Sequence, residues 1–181
     1  KTPYVLEQNI AKKLVGFGFQ EVMNNSITSP KYAAFSKQLD EIAKVNLLNP
    51  LGQELSQMRS SLLFSSLEVI AYNQNRQRRD LKIYEFGKVY RQLEVGYQED
   101  KKIALAMCGK AHKEAWNTDT AANDIYRLKG SVYAILESLG LDALTEEASD
   151  RDIFQYGLCI SSRKKAVVQM GSVSPSLLKE F

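Results

Sequence analysis

Residues 81–91, LKIYEFGKVYR, carry apolar side chains on both faces of an extended chain. Tyr84, Phe86 and Tyr90 fall on one face, Ile83 and Val89 on the other. A strand covered on both sides belongs in the interior of a sheet, where each face meets another layer. This strand is the expected spine of the fold. Residues 49–80 lead into it as a loop, a helix and a charged corner. That corner, RQRRD at 76–80, breaks the apolar pattern and turns the chain.

The elements around the spine follow from periodicity and punctuation. Leu6, Ile10, Leu14 and Phe17 recur at helical spacing over residues 4–17, and Gly16 and Gly18 provide the exit. Residues 19–27 read as a strand halted at Ser29-Pro30. Residues 31–41 read as a loop with a helical turn, and 43–48 as a short strand closed by Asn49-Pro50-Leu51-Gly52. Ser60 or Ser61 can cap the next helix, whose buried stripe is Leu63, Leu67, Ile70 and Ala71. After the spine come a polar loop at 92–100 and a returning strand at 102–108, an antiparallel hairpin. Asp124 caps a helix over 125–139 that Gly140 ends. A second hairpin, 154–160 with 166–171, turns through the basic residues 161–165. Ser174-Pro175 opens a last helix. Strands joined by short loops, with helices between, predict an α+β fold: an antiparallel sheet flanked by helices.

The chain has 181 residues, 44% of them hydrophobic and 25% charged. That suffices for one good core, and no Pro-, Gly- or Ser-rich linker divides residues 1–181, so one domain is expected. It opens on Lys1 and stops at Phe181 inside a starting helix, which predicts a fragment of something longer. A net charge of +3 does not by itself argue for nucleic acid. No run approaches a membrane span, and the first residues lack the apolar centre of a signal peptide. Cys108 and Cys159 sit far apart in separate apolar runs without metal-ligand spacing, so buried thiols and a cytoplasmic setting are expected.

Sites for chemistry are sparse. GFGF at 16–19 follows a helix rather than opening one and has no Lys-Ser/Thr after it, so it does not cradle phosphate. A Ser-His-Asp or Cys-His arrangement must use the single histidine, His112, which lies in a polar connector with no signature around any serine or cysteine. Arg76, Arg78 and Arg79 can meet phosphates, or can form a solvated corner.

The run NPLGQELSQMRSSLLFSSLEVIAYNQNR followed by LKIYEFGKVY resembles the synthetase-like domain of the bacterial phenylalanyl-tRNA synthetase beta chain. The matching pieces are Asn49-Pro50, the helix start Met58-Arg59-Ser60-Ser61-Leu62-Leu63, Asn75-Arg76, and Tyr84-Glu85-Phe86-Gly87. GFGFQEVMNNSITSP at 16–30, LKG at 128–130 and the Gly171…Pro175 segment support them. The likeness covers nearly the whole chain. It implies a class II aminoacyl-tRNA synthetase core. In that fold a first motif, a long helix leading into a strand that ends at proline, forms the subunit interface, and residues 4–30 match it. Leu6, Ile10, Leu14 and Phe17 are then the interface residues toward the catalytic alpha chain. A strand-loop-strand second motif matches residues 82–108.

The resemblance also implies what is lost. An active site of this class holds the phosphates of ATP with an arginine and a carboxylate in the second motif and an arginine in a third, because charge developing on the α-phosphate needs fixed cations. Arg91 can stand at the second-motif arginine as a vestigial phosphate contact, but Gln92-Leu93 follow it, the returning IALAMCG strand is apolar, and no third motif precedes Phe181. The expected role is a non-catalytic domain, with no catalytic residue, metal or cofactor of its own, in an enzyme that charges tRNA with phenylalanine using ATP and Mg2+. Two alternatives stand beside it: an ATP-binding ligase domain truncated of its third motif, and an RNA-binding module using Arg76, Arg78, Arg79 and the Lys164-Lys165 turn.

Overall fold

The computed structural model of the chain describes residues 2–111, 116 and 121–181; the expectation for His112 lies outside them. The spine is strand β4, Leu81–Gln92, paired over its full length with β5, Tyr97–Cys108. Ile83, Tyr84 and Glu85 are each 3% exposed or less, so both faces are covered as the alternation requires. The hairpin runs further than its apolar pattern. Residues 92 and 97–100, read as loop from their polarity, continue the ladder to Gln92↔Tyr97, leaving only residues 93–96 to turn. Cross-strand pairs hold this solvated end: Lys88 to Glu99 at 2.5 Å, and Arg91 opposite Gln98. Gly96 closes it with φ 77°.

Helix α1, Pro3–Gly16, packs Ile10 and Leu14 on the Tyr84 face with Phe19 and Ile135. The strand expected over 19–27 is broken. Only β1, Gln20–Glu21, pairs with β4, and it does so parallel; β2, Ile27–Thr28, pairs antiparallel with β3, Gln57–Met58. The sheet is therefore mixed rather than wholly antiparallel. The break lies at Asn24 and Asn25, whose side chains engage Glu85 and the Ile27 N–H in place of a ladder. The strand expected at 43–48 reduces to one bridge, Asn46 to Gln57.

A 3-10 helix, Pro30–Phe35, and α2, Lys37–Asp40, fill the segment read as loop with a helical turn. Helix α3, Leu63–Gln74, starts where the Ser61 hydroxyl accepts the Leu63 N–H at 3.1 Å. Phe64, outside the expected stripe, is buried beside Leu67, while Ile70 and Ala71 are half-buried. Phe64 joins Tyr32, Phe35 and Phe181 in a four-ring cluster with centroids 4.9 to 6.4 Å apart. The cluster pins residue 181 against residues 32–64.

Helix α4, Ile125–Ser138, is capped by Asp124 as expected, its carboxylate accepting the Arg127 N–H at 2.8 Å. One side of α4 meets β4 and β5 through Leu128 and Ile135. The other meets a second, antiparallel sheet through Val132 and Leu136. That sheet is β6, Leu144–Ala148, an element the sequence did not signal, then β7, Phe154–Ser162, and β8, Lys165–Val173. Ser174 caps the last helix, α5, Pro175–Leu178, accepting the Leu177 N–H.

The β7–β8 turn consists of Arg163 and Lys164 alone, both left-handed with φ 49° and 66°. A two-residue turn needs this conformation to match strand twist, and Asn-Gly adopts it most readily. Arg163 compensates little, since its bond to Asp142 is exposed. The double change Arg163→Asn, Lys164→Gly is expected to stabilise the chain by about 1 kcal/mol, read as a rise in urea midpoint at unchanged m-value.

Candidate functional site

On the Ile83 face of β4 a charged residue sits at the centre of the strand. Glu85 is 2% exposed, and its partner Arg59, one residue past β3, is 4% exposed. Arg59 Nη1 donates to Glu85 Oε1 at 2.6 Å, and Arg59 Nε donates to the Lys88 carbonyl at 2.9 Å. The other carboxylate oxygen accepts the Asn24 side-chain amide at 2.8 Å. Arg59 is also stitched through its backbone: its N–H donates to the Ser26 carbonyl and its carbonyl accepts the Tyr90 N–H, each at 2.9 Å. β1 leaves the edge of β4 after Tyr84, where Val22 N–H donates to the Tyr84 carbonyl. The guanidinium fills the stretch that follows. Gly87 makes room for it, since a methyl group there would overlap Arg59 and the Leu62 side chain.

Beside the pair lies a recess of about 210 Å³ lined by Asn24, Asn25, Arg59, Ser61, Ser65 and Glu68, with Ile27, Thr28 and Leu55. Glu68 accepts the Tyr32 hydroxyl, and burial pushes its carboxyl above the usual range against the pull of Lys31. Glu85 stands in the sequence inside an otherwise apolar run, and Arg59 among polar residues, SQMRSS. Periodicity reports burial there but not which charges meet.

The residues singled out from the sequence are scattered. Arg91 is exposed beside the turn of the β4–β5 hairpin, its Nε donating to Gln98 Oε1 at 2.9 Å. It lies on the far side of Lys88 from Glu85 and does not line the recess. Of the four apolar residues expected at a subunit interface, Ile10 and Leu14 are 7% and 0% exposed and are committed to the chain's own core. Leu6 and Phe17 are 38% and 39% exposed. Cys108 and Cys159 are half-buried free thiols, and burial raises the Cys108 thiol. Arg76, Arg78 and Arg79 are exposed at the far end of α3.

α1 and α4 each carry exposed apolar side chains among exposed polar ones such as Gln8, Lys12 and Arg127. Tyr4 and Val15 are 70% and 61% exposed, and Tyr126 on α4 is 78% exposed. The Lys13 ammonium donates to the Ala134 carbonyl at 3.1 Å and ties the two helices. A shallow hollow of about 630 Å³ follows Gly130, Ala134, Glu137 and Leu141 along the rest of α4.

Residues 2–181 match the model of the phenylalanyl tRNA synthetase beta chain CLM domain. The chain belongs to that family. It is 36% identical to the phenylalanine–tRNA ligase beta subunit of Bacteroides thetaiotaomicron over 97% of its length, and 31% identical to that of Porphyromonas gingivalis over 98%. It spans 23% of the length of each. Among solved structures, a pyrrolysyl tRNA synthetase of Desulfitobacterium hafniense superposes with a TM-score of 0.72 at 18% identity, covering 99% of this chain and 59% of that one. That likeness shows a tRNA synthetase fold. Within this beta-chain domain, the segments that carried the resemblance are those that build the buried pair: Met58-Arg59-Ser60-Ser61 supplies the arginine, and Tyr84-Glu85-Phe86-Gly87 supplies the carboxylate and the gap.

Removing one partner leaves a buried charge unpaired. Arg59→Met alone, or Glu85→Leu alone, is expected to cost about 3–5 kcal/mol, and the double change to recover most of that loss. Urea denaturation of the four proteins of this cycle measures it. Additive losses would show that the two residues act separately.

Proposed function

We propose that this chain is the non-catalytic, synthetase-like domain of a phenylalanine–tRNA ligase beta subunit, and that the outer side of α1 and α4 packs on the catalytic alpha chain. The observation that carries this reading is the exposed apolar side chains of two helices tied together. Tyr4 and Val15 stand exposed toward the two ends of α1, with the polar Gln8 and the half-buried Ala11, which packs on the core, between them. Gly130 and Ala134 keep the neighbouring side of α4 low, so a partner helix can approach closely. Large exposed side chains gathered in this way mark an interaction surface. Leu6 and Phe17 fit at its margin, while Ile10 and Leu14 support it from beneath.

The position of Arg91 supports the absence of adenylate chemistry. Its guanidinium is engaged by Gln98 in solvent, away from the recess beside Glu85. Preorganised charge in a dry site is what the reaction demands. In this reading ATP and Mg2+ serve the alpha chain, tRNA is bound by the whole enzyme, and the enzyme works in the cytoplasm, where protein synthesis uses its product. Residues 1–181 act as one domain within that assembly.

Two measurements test the proposal on the assembled enzyme. Tyr4→Glu with Val15→Glu in the full-length beta chain is expected to weaken association with the alpha chain by about 1.4 kcal/mol or more, tenfold in Kd, at unchanged melting temperature of the beta chain. Unchanged association would remove α1 from the interface. Arg91→Ala is expected to leave phenylalanine-dependent pyrophosphate exchange as it was; its loss would make Arg91 a working phosphate ligand.

A further inference from the structure

Where α3 ends, three guanidiniums stand against one carboxylate within five residues, Arg76 to Asp80. All five residues are exposed. The corner is nevertheless built to hold its shape. Arg78 N–H donates to the Asn73 carbonyl and Gln77 N–H to the Gln74 carbonyl, each at 3.0 Å. This is the double closure of a helix C-terminus that places its fifth residue left-handed. Glycine is the usual occupant; here it is Gln77, at φ 63°.

The strand beyond is fixed as firmly. The Cys108 thiol donates to the Arg79 carbonyl at 3.3 Å, and Asp80 accepts the Lys110 N–H at 2.6 Å. Gly109 lets the backbone close on Arg79 and Asp80, where a side chain would collide. The one local carboxylate is thus occupied by backbone rather than by a guanidinium. Arg76 lies flat over the exposed ring of Tyr72, its guanidinium carbon 3.4 Å from the centroid, and Nη1 donates to the Tyr72 carbonyl.

We infer that this corner grips the phosphate backbone of an RNA. Three features favour RNA over an acidic protein face. All three cations are arginines, whose planar forks match phosphate oxygens in pairs. One of them is stacked on an aromatic ring, the pairing that serves nucleic-acid surfaces. The backbone that presents them is rigid, so little order is lost on contact. The corner lies at the end of α3 and the β4 entrance, and Lys82 just beyond it donates to the Phe17 carbonyl at 3.4 Å; the inference rests on reading the chain as a domain of a phenylalanine–tRNA ligase, and subunit association is measured beside tRNA binding to tell the two apart.

The test uses the full-length ligase and unfractionated tRNA as probe, with binding measured across a salt series. Changing Arg76, Arg78 and Arg79 together to Gln is expected to weaken binding about tenfold or more at low salt and to flatten the slope of log K against log salt by about 3. Tyr72→Leu keeps the charges, so it is expected to weaken binding less and leave the slope unchanged. Subunit association and melting temperature are measured on the same samples and are expected not to move. Unchanged affinity and slope in the triple variant overturn the inference. So does lost subunit association with intact tRNA binding, which assigns the corner to an acidic protein. If the triple variant does not fold, the three single changes to Gln carry the test, each expected to lower the slope by about 1.

Discussion

A carboxylate in the middle of a fully covered strand is tolerated only if something neutralises it, and here that is the guanidinium of Arg59. Taking both ions out of water costs several kcal/mol each, and their attraction with good hydrogen bonds roughly offsets that cost. The pair therefore adds little net stability over a well-packed apolar pair. What it supplies is register. Arg59 meets Glu85 only if Ser26, Lys88 and Tyr90 lie where its remaining bonds find them, and only if position 87 has no side chain. One interaction thus fixes the short β2–β3 ribbon, the start of α3 and the edge of β4 relative to one another.

The rest of the molecule is arranged around that fixed strand by apolar packing. α1 and α4 cover the face opposite the ion pair, and α4 carries the second sheet on its other side through Val132 and Leu136. Side chains from both cores converge on Leu128, so a shift of α4 is felt in both sheets. At the far side the four rings of Tyr32, Phe35, Phe64 and Phe181 bind residue 181 to the 3-10 helix before α2 and to the start of α3. A rigid surface of this kind loses little freedom on association.

The two surfaces read from the structure differ in physics. The α1–α4 side sets large exposed apolar side chains, Tyr4, Val15 and Tyr126, among polar ones, the mixed make-up of a protein–protein contact. The arginine corner is polar and fully hydrated, suited to a salt-sensitive contact with a polyanion. Family membership assigns the chain to a beta-chain domain; the chemistry of each surface decides what it touches.

Much of this was legible in the residues. Alternation in 81–91 set the central strand, Asp124 and Ser174 marked their helix starts, and helical spacing of Ile10 and Leu14 located a buried stripe. Each rests on a short-range rule that tertiary contacts reinforce. Other features belong to the three-dimensional structure alone. The break after Glu21 follows from Asn24 reaching Glu85, sixty-one positions away, and the polar end of the hairpin pairs because Gln98 and Glu99 lie across from Arg91 and Tyr90. Ile10 and Leu14, taken from the sequence for an interface, face the core because β4 and α4 arrive on that side of the helix. Periodicity tells that a face is covered; only the packed chain decides what covers it, since hydrophobic burial carries no direction and no address.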